Sequence, residues 1–527
     1  MQRLTALDSM YVAMDTETTN AILGGLLMLE PSEDGRVAPD EDFMRARLAE
    51  RLAYLPPLSR KVIKSPLGVL HDYLGEPARI DLDAHVGTLS LPAPGTQEQL
   101  AAEVSRLMSS TELPADRPLW HLTVIKGLQD GSVALLLRIH HLVVDGGSMP
   151  VVWDLLQDTP KGPMVPEAHP YAQPRFGSPE MVAREIAGMA QMPVDLAKLA
   201  VGAGGWVLRT LREKGPLALA ATPLRLLPGE LTGRLTPVLN RRLKESGSAE
   251  VAPYLPTLSP PAMPFNGRVT ARRTFVFADL PLADLRRVGK LLGGTINDAV
   301  LGVTAGAMRR YLQDRNLPVD KPLIVNIPVS IRTGKEKVRW ANYVMMVFAE
   351  YPVHLADPVA RVRAASRAVK AAKASFDALP IGLIPAASKF LPPALITLPM
   401  RLMVKSEAMS KVPYNVVVSN VRGPAEPEFI DGVKVKGVWP ASFLSVGGGI
   451  NITLQSYCDR MCFGFMGSPE QAVDLQPLVR YMQESLAETL AAAQAATSAP
   501  APSPRPGRRP GRPRGALRAV SGATSAG

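Results

Sequence analysis

Short apolar runs alternate with stretches of helical periodicity along most of the chain. Residues 133–139 form a mostly apolar run of strand length, which predicts a buried strand. Ser148 follows it as the N-cap of a predicted helix. The apolar positions of that helix lie on one side: Val151, Val152, Leu155 and Leu156. Downstream, the same criteria predict strands at 273–278, 323–331 and 415–421, and helices at 280–292, 296–312 and 475–493.

Two Pro-rich stretches, 166–178 and 253–264, divide the chain. The region between them has a helical pattern, which we expect to be broken at Gly202–Gly205 and at its prolines. The last residues are rich in Ala, Pro, Gly, Ser and Arg and contain no acid. The pattern therefore predicts an N-terminal domain (1–170), a helical, Pro-rich connecting region (171–264), a C-terminal domain (265–495) and a disordered basic tail (496–527).

Length and composition agree with this division. The chain has 527 residues, too many for one core, with 46% hydrophobic and 20% charged residues, as in globular proteins. The net charge of +11 favours an anionic partner, such as a phospholipid surface, a nucleic acid or an anionic cofactor. Its two cysteines, Cys458 and Cys462, flank a predicted turn, and we expect reduced thiols.

Nothing in the sequence predicts a signal peptide or a membrane span. The first twenty residues contain three acids, and the most apolar candidate, residues 381–400, is interrupted by four prolines and a lysine. We therefore expect a cytoplasmic protein.

Two adjacent histidines, His140 and His141, directly follow the predicted strand at 133–139. Asp145 follows His141 by four residues, and Gly146 and Gly147 permit a sharp turn. A histidine at a strand end can project into a cleft and remove a proton from a hydroxyl. A metal site is the other reading, but adjacent strand residues point apart and no second His or Cys cluster supports it, so we expect no metal.

The string His-His-x-x-x-Asp-Gly resembles that of the bacterial wax ester synthase/diacylglycerol acyltransferase family, within the chloramphenicol acetyltransferase-like superfamily. The resemblance runs from about residue 4 to about residue 488, with further motifs in the family order. Those motifs are Asp81–Val86, Leu91–Gly95, Arg117–Trp120, Thr295–Val300, Pro328–Arg332, Ser419–Pro424 and Asn451–Thr453. The family implies an α/β fold of two chloramphenicol acetyltransferase-like domains, each a mixed sheet with flanking helices, with the active-site channel at their interface.

The resemblance also implies roles for individual residues. His141 is the general base, and His140 supports it. Asp145 forms a structural ion pair behind the histidine, with Arg332 as the candidate partner, and Gly146 shapes the turn. The remaining candidates for substrate-binding or structural roles are Asn297, Asp298, Trp120, Ser419, Asn420 and Asn451. For Asn297 and Asp298 the alternative is helix capping, and for Trp120 it is core packing.

The implied activity is transfer of a long-chain acyl group from acyl-CoA, a co-substrate, to a lipid alcohol. Diacylglycerol is the first acceptor and a fatty alcohol the second. Such substrates imply peripheral contact with the inner face of the membrane or with lipid droplets. Two segments are candidates for this contact: the Leu- and Arg-rich residues 208–227 and the apolar, Pro-broken residues 381–400. The sequence leaves the oligomeric state open and predicts no tightly bound cofactor.

Three other readings stay open at this point. A carrier-protein-dependent condensation or polyketide-associated acyltransferase of the same superfamily would share the histidine string. An inactive lipid-binding homologue is suggested by Asn20-Ala21-Ile22, where the family usually has Pro-Met-His. Nucleic-acid binding by the six arginines of the tail is the third, and we do not expect it because the segment is short and of low complexity.

Overall fold

Strands and helices of the computed structural model follow the sequence pattern closely. The structure describes residues 2–31, 38–67, 71–77, 80–109, 113–114, 116–144, 148–159, 178–224, 260–330, 342, 344–377, 397–398, 414–444, 447–471 and 474–498. In the N-terminal half its elements are β1 (Gln2–Arg3), α1 (Ala6–Met14), β2 (Ile22–Leu29), α2 (Glu41–Arg51), β3 (Arg60–Ile63), β4 (Tyr73–Pro77), β5 (Val86–Ser90), α3 (Gln97–Ser109), β6 (Trp120–Lys126), β7 (Val133–His140), α4 (Met149–Asp154) and α5 (Ser178–Leu224).

The C-terminal half continues the alternation of strands and helices. Its elements are β8 (Thr274–Pro281), α6 (Leu282–Leu291), α7 (Ile296–Asp314), β9 (Leu323–Ser330), β10 (Val344–Tyr351), α8 (Pro358–Asp377), β11 (Val416–Val421), β12 (Phe429–Ile430), β13 (Val433–Ala441), β14 (Ile450–Tyr457), β15 (Arg460–Gly467) and α9 (Gln476–Ser498). Every strand and helix predicted above is present, within a few residues at each end.

Two six-stranded mixed sheets organise the molecule, with a small three-stranded sheet, β1-β4-β3, beside them. The first large sheet has the order β12-β13-β2-β7-β6-β5, and the second has the order β10-β9-β11-β14-β15-β8. Each sheet contains both parallel and antiparallel pairs. The predicted α/β class with two mixed sheets is therefore confirmed.

One feature of the sheets cannot be read from chain order. Strands β12 and β13 come from the C-terminal half, yet β13 pairs with β2 and completes the first sheet. Trp439 on β13 then donates its indole N–H to the carbonyl oxygen of Ala278 on β8, 3.0 Å away in the second sheet. The domain boundaries given above stay a prediction. The C-terminal half contributes two strands, β12 and β13, to the sheet of the N-terminal half.

Helix α5 corrects one expectation. The prolines and Gly202–Gly205 predicted breaks in residues 178–224, whereas the structure has one helix through all of them. A glycine inside a helix costs about 1 kcal/mol, and an internal proline costs about 3 kcal/mol because it removes one hydrogen bond and bends the axis. These residues weaken or bend a helix but do not by themselves fix where it ends.

Candidate active site

Strand β7 delivers the two histidines to their positions. It is buried along its whole length and lies between β2 and β6, so its direction is fixed on both edges. His140, its last residue, pairs with Ile22 of β2. The backbone N–H of His141 then donates to the carbonyl oxygen of Ala21 at 2.7 Å. Any residue at position 21 supplies that carbonyl, so the unusual Asn20-Ala21-Ile22 leaves this contact intact.

The imidazole of His141 is bonded to Asn342, a residue of the C-terminal half. Its Nδ1 lies 2.8 Å from Oδ1 of Asn342. The Nδ2 of Asn342 donates to the carbonyl oxygen of His141 at 2.9 Å and to Oδ1 of Asp8, also at 2.9 Å. Because a carbonyl oxygen can only accept, the amide nitrogen must face it and the amide oxygen must face the ring. Nδ1 therefore carries the hydrogen, and in the neutral ring Nε2 carries the lone pair.

Aromatic rings enclose His141, which is buried. Tyr11 of α1 stacks on the imidazole with ring centroids 4.1 Å apart, and Phe443 meets it edge-on at 5.7 Å. Asn451 donates from Nδ2 to the carbonyl oxygen of Phe443 at 3.0 Å and accepts the hydroxyl hydrogen bond of Thr453. Asn451, a predicted site residue, thus reaches the histidine indirectly, by fixing Phe443.

His140 uses both ring nitrogens within the protein. Its Nδ1 accepts from the backbone N–H of Leu142 at 3.1 Å, and its Nε2 lies 2.9 Å from Oδ2 of Asp15. Since Nδ1 accepts, Nε2 carries the hydrogen and donates to the carboxylate. The other carboxylate oxygen of Asp15 accepts from the N–H of Ala21 at 3.0 Å. His140 therefore ties the end of β7 to the segment that bonds His141.

Asp8 is the charged group behind the histidine. It lies in the first turn of α1, where it forms a capping box with Thr5, accepting from the backbone N–H at 2.9 Å and from the hydroxyl at 2.7 Å. Burial raises the pKa of this carboxyl above its ordinary value, and the hydrogen bonds from Asn342 and Thr5 oppose that rise. Hydrogen bonds from Thr5 and from Asn342 hold the Asp8 carboxyl in place.

Other predicted residues lie apart from His141 or outside the described ranges. Trp120 is a core residue that donates to the carbonyl oxygen of Leu58 at 2.6 Å and stacks on His85. Asp298 closes a capping box with Thr295 at the start of α7, and Asn297 lies half-buried beside it.

Ser419 and Asn420 lie near the end of β11, half-buried and exposed. Asp145, Gly146 and Arg332 lie outside the described residues, so the expected ion pair between Asp145 and Arg332 stays a prediction.

Sequence reasoning missed five side chains around the histidines: Asp8, Tyr11, Asp15, Asn342 and Phe443. The Thr5-x-x-Asp8 spacing signals a helix cap, but nothing in it signals a neighbour of His141. Asn342 follows His141 by 201 residues. Among the described residues, no group of three or more His, Cys, Asp and Glu side chains could hold a metal ion.

The described helices were also compared with the requirements of a bilayer span. No single one is long and apolar enough to cross a bilayer. Only α6 and α7 taken together, bent by 103°, have the length and composition.

Comparison of the sequence with known proteins identifies its family. The model of the wax ester synthase/diacylglycerol acyltransferase catalytic domain matches residues 4–300, and that of the WS/DGAT C-terminal domain matches residues 340–489. A protein of Mycobacterium tuberculosis, named as a candidate diacylglycerol O-acyltransferase, is 30% identical over 465 residues, or 87% of this chain and 91% of its own. The O-acyltransferase WSD of Acinetobacter baylyi is 26% identical over 92% of this chain and 96% of its own.

A solved structure gives the same answer for the fold. The wax ester synthase/diacylglycerol acyltransferase of Marinobacter aquaeolei superposes with a TM-score of 0.60 at 22% identity, over 94% of this chain and 100% of that one. The family models together span more than half of the sequence and include both the histidine string and Asn342. The chain belongs to the wax ester synthase/diacylglycerol acyltransferase family, which confirms the resemblance and the predicted class of acyltransferases.

Proposed function

We propose that this protein transfers a long-chain acyl group from acyl-CoA to a lipid alcohol, with diacylglycerol as the first acceptor and a fatty alcohol as the second. The observation that carries the proposal is the bond from Nδ1 of His141 to Asn342, which places the ring hydrogen on Nδ1 and the lone pair of the neutral ring on Nε2. The names of the relatives support the acceptors, since they refer to diacylglycerol acyltransferases and wax ester synthases.

The chemistry follows from that lone pair. Nε2 of His141 takes the hydroxyl proton while the alcohol oxygen attacks the thioester carbonyl, giving a tetrahedral oxyanion. The intermediate collapses, the carbon–sulfur bond breaks, and the imidazolium returns its proton to the CoA thiolate. The products are an ester and free CoA, with no acyl-enzyme. Asn297, half-buried at the start of α7, is the candidate donor to the oxyanion or to the acceptor.

Purified protein supplied with palmitoyl-CoA and a panel of acceptors tests this proposal. The panel contains diacylglycerol, hexadecanol and a carrier-protein-bound amine, with free thiol and extracted lipid both measured. We expect ester with the lipid alcohols, and His141→Ala should lower turnover about 10²–10⁴-fold. His121→Gln, at a half-buried histidine, is the matched control, and its turnover should stay near wild type.

Other outcomes of the same assay contradict the proposal. Product only with the carrier-bound amine would indicate a condensation-type enzyme. Absence of CoA release with every acceptor would indicate a lipid-binding homologue without activity.

We further propose that α5 brings the enzyme to its lipid substrates. Five large apolar side chains are exposed on the described part of it, the first four spaced seven or eight residues apart: Ile186 (54%), Val194 (51%), Val201 (77%), Leu208 (69%) and Leu211 (38%). Lys198, Arg209 and Arg212 belong to the same part of the helix. Cations near an anionic surface contribute about 1 kcal/mol each. The other candidate segment, residues 381–400, lies almost entirely outside the described residues.

Flotation with liposomes tests this contact. We expect binding to phosphatidylglycerol-containing vesicles that weakens as salt rises, because screening shortens the reach of surface charge. Replacing Val201 and Leu208 together by Asp should abolish it, while turnover of a detergent-solubilised acceptor remains. Equal flotation on neutral and anionic vesicles, or none at low salt, would refute the proposal.

A further inference from the structure

A chain of hydrogen bonds runs from the first helix to the base through the other half of the protein. Thr5 fixes Asp8, Asp8 accepts from Asn342, and Asn342 accepts from Nδ1 of His141. All three members that precede the ring are held by at least two bonds. We infer that Asn342 and Asp8 are positioning residues that keep His141 in its Nδ1–H form, so that its Nε2 can act as the base. The inference rests on the function proposed for His141.

The amide of Asn342 can be held in only one orientation. Its Nδ2 has two acceptors, the carbonyl oxygen of His141 and Oδ1 of Asp8, both at 2.9 Å. Its backbone N–H also points to Oδ1 of Asp8, at 3.4 Å. A flipped amide would place Oδ1 against two oxygen acceptors and Nδ2 against the ring. The ring would then have to accept at Nδ1 and carry its hydrogen on Nε2, where it could no longer take a proton.

A neutral amide at this position differs from a carboxylate in one respect that can be measured. A carboxylate beside the ring stabilises the imidazolium and raises the pKa of a histidine, whereas an amide fixes the tautomer without adding charge. The carboxyl lies one step back, at Asp8. The other titratable groups described around the ring are Tyr11, which stacks on it, and the neighbouring pair of His140 and Asp15.

The arrangement also makes the base depend on both halves of the chain. Residues 140–146 carry the complete histidine string, but the tautomer of His141 is set by a residue 201 positions away. Asn342 lies two residues before the start of β10, an edge strand of the second sheet. The way the second half packs on the first therefore decides whether the histidine is competent as a base.

Substitution of Asn342 in the full-length protein tests the inference. Asn342→Ala frees the ring to turn or to change tautomer, and misplacement of a catalytic group costs about 10²-fold. We expect this loss in kcat, with KM for acyl-CoA nearly unchanged, since Asn342 acts through His141. Asn342→Asp keeps an acceptor facing Nδ1. Its second oxygen faces Oδ1 of Asp8, so the two carboxyls must share a proton, and the negative charge of the pair then extends to the position beside the ring. Asn342→Asp should retain more activity than Asn342→Ala and move the acidic limb of the kcat pH profile to higher pH.

Two further variants separate positioning from general stability. Asn415→Ala removes an equally buried asparagine of the same half, which bonds to Ile324 and Asn266 and not to His141. It should lower the melting temperature as Asn342→Ala does, and leave the pH limb where it is. In a His141→Ala background, adding Asn342→Ala should cause no further loss, because residues that act as one unit are not additive.

These measurements distinguish the two proposals. If His141→Ala keeps its turnover, the proposed base is wrong, whatever Asn342 does. If His141→Ala is inactive but Asn342→Ala keeps wild-type kcat, the base stands and the positioning role is overturned. The positioning role is also overturned if Asn342→Asp leaves the acidic limb unshifted, or if Asn342→Ala lowers the residual activity of His141→Ala further.

Discussion

We expect the two adjacent histidines to have different roles: His140 stabilises the fold, and His141 takes part in the reaction. His140→Ala removes two hydrogen bonds from a side chain that is only 4% exposed. The backbone N–H of Leu142, which is buried, loses its acceptor, at a cost of about 1 kcal/mol. The bond to Asp15 is charge-assisted, but that carboxylate is 40% exposed, so we take the low end of the usual range, about 1.5 kcal/mol. The free energy of unfolding should fall by about 2–3 kcal/mol.

Two conservative substitutions of His140 measure the two hydrogen bonds separately, because each keeps one bond and loses the other. In His140→Asn the amide oxygen can stand where Nδ1 stands, so the bond from Leu142 survives and the bond to Asp15 is lost. In His140→Gln the amide nitrogen can stand where Nε2 stands, so the opposite bond survives. Each variant should therefore recover part of the stability that His140→Ala loses.

Urea unfolding and steady-state turnover on the same preparations check this reasoning. Corrected for the folded fraction, all three His140 variants should keep turnover within about tenfold of wild type, whereas His141→Ala should fall 10²–10⁴-fold. A His140→Ala protein with unchanged unfolding free energy and abolished turnover would refute the division, and would assign His140 to the chemistry.

Three smaller predictions concern the packing around the site. Trp439→Phe leaves the carbonyl of Ala278 without its indole donor and should lower the unfolding free energy by about 1–3 kcal/mol, measured in urea. Burial raises the pKa of the Cys462 thiol to about 12, so iodoacetamide at pH 8 should modify it only after denaturation, as mass spectrometry will show. Gly306→Ala would make the new methyl group overlap the hydroxyl of Ser485 and crowd the Arg361 guanidinium, and should lower the melting temperature, measured by calorimetry.

Local pattern was sufficient for the elements and for the family. An apolar run of strand length followed by two histidines predicted β7, and the apolar periodicity of residues 280–312 predicted α6 and α7 with the turn between them. Periodicity reports which face of an element is buried, and that is decided by residues close in sequence. Breaks at prolines and glycines were predicted less well, because such residues weaken or bend a helix without by themselves fixing where it ends.

Tertiary structure alone decided what surrounds His141. The sequence pattern pointed to neither Asp8 nor Asn342, and only the fold brings Asn342 to His141 and Asp8 to Asn342. It also places β13 of the C-terminal half in the N-terminal sheet, where Trp439 reaches the opposite sheet. Hydrogen bonds between residues hundreds of positions apart produce no periodic pattern in the sequence. They depend on how whole sheets and helices pack against one another. The sequence determined the family and the histidine that we propose as the base, and the packing of the two halves brings Asn342 to its Nδ1.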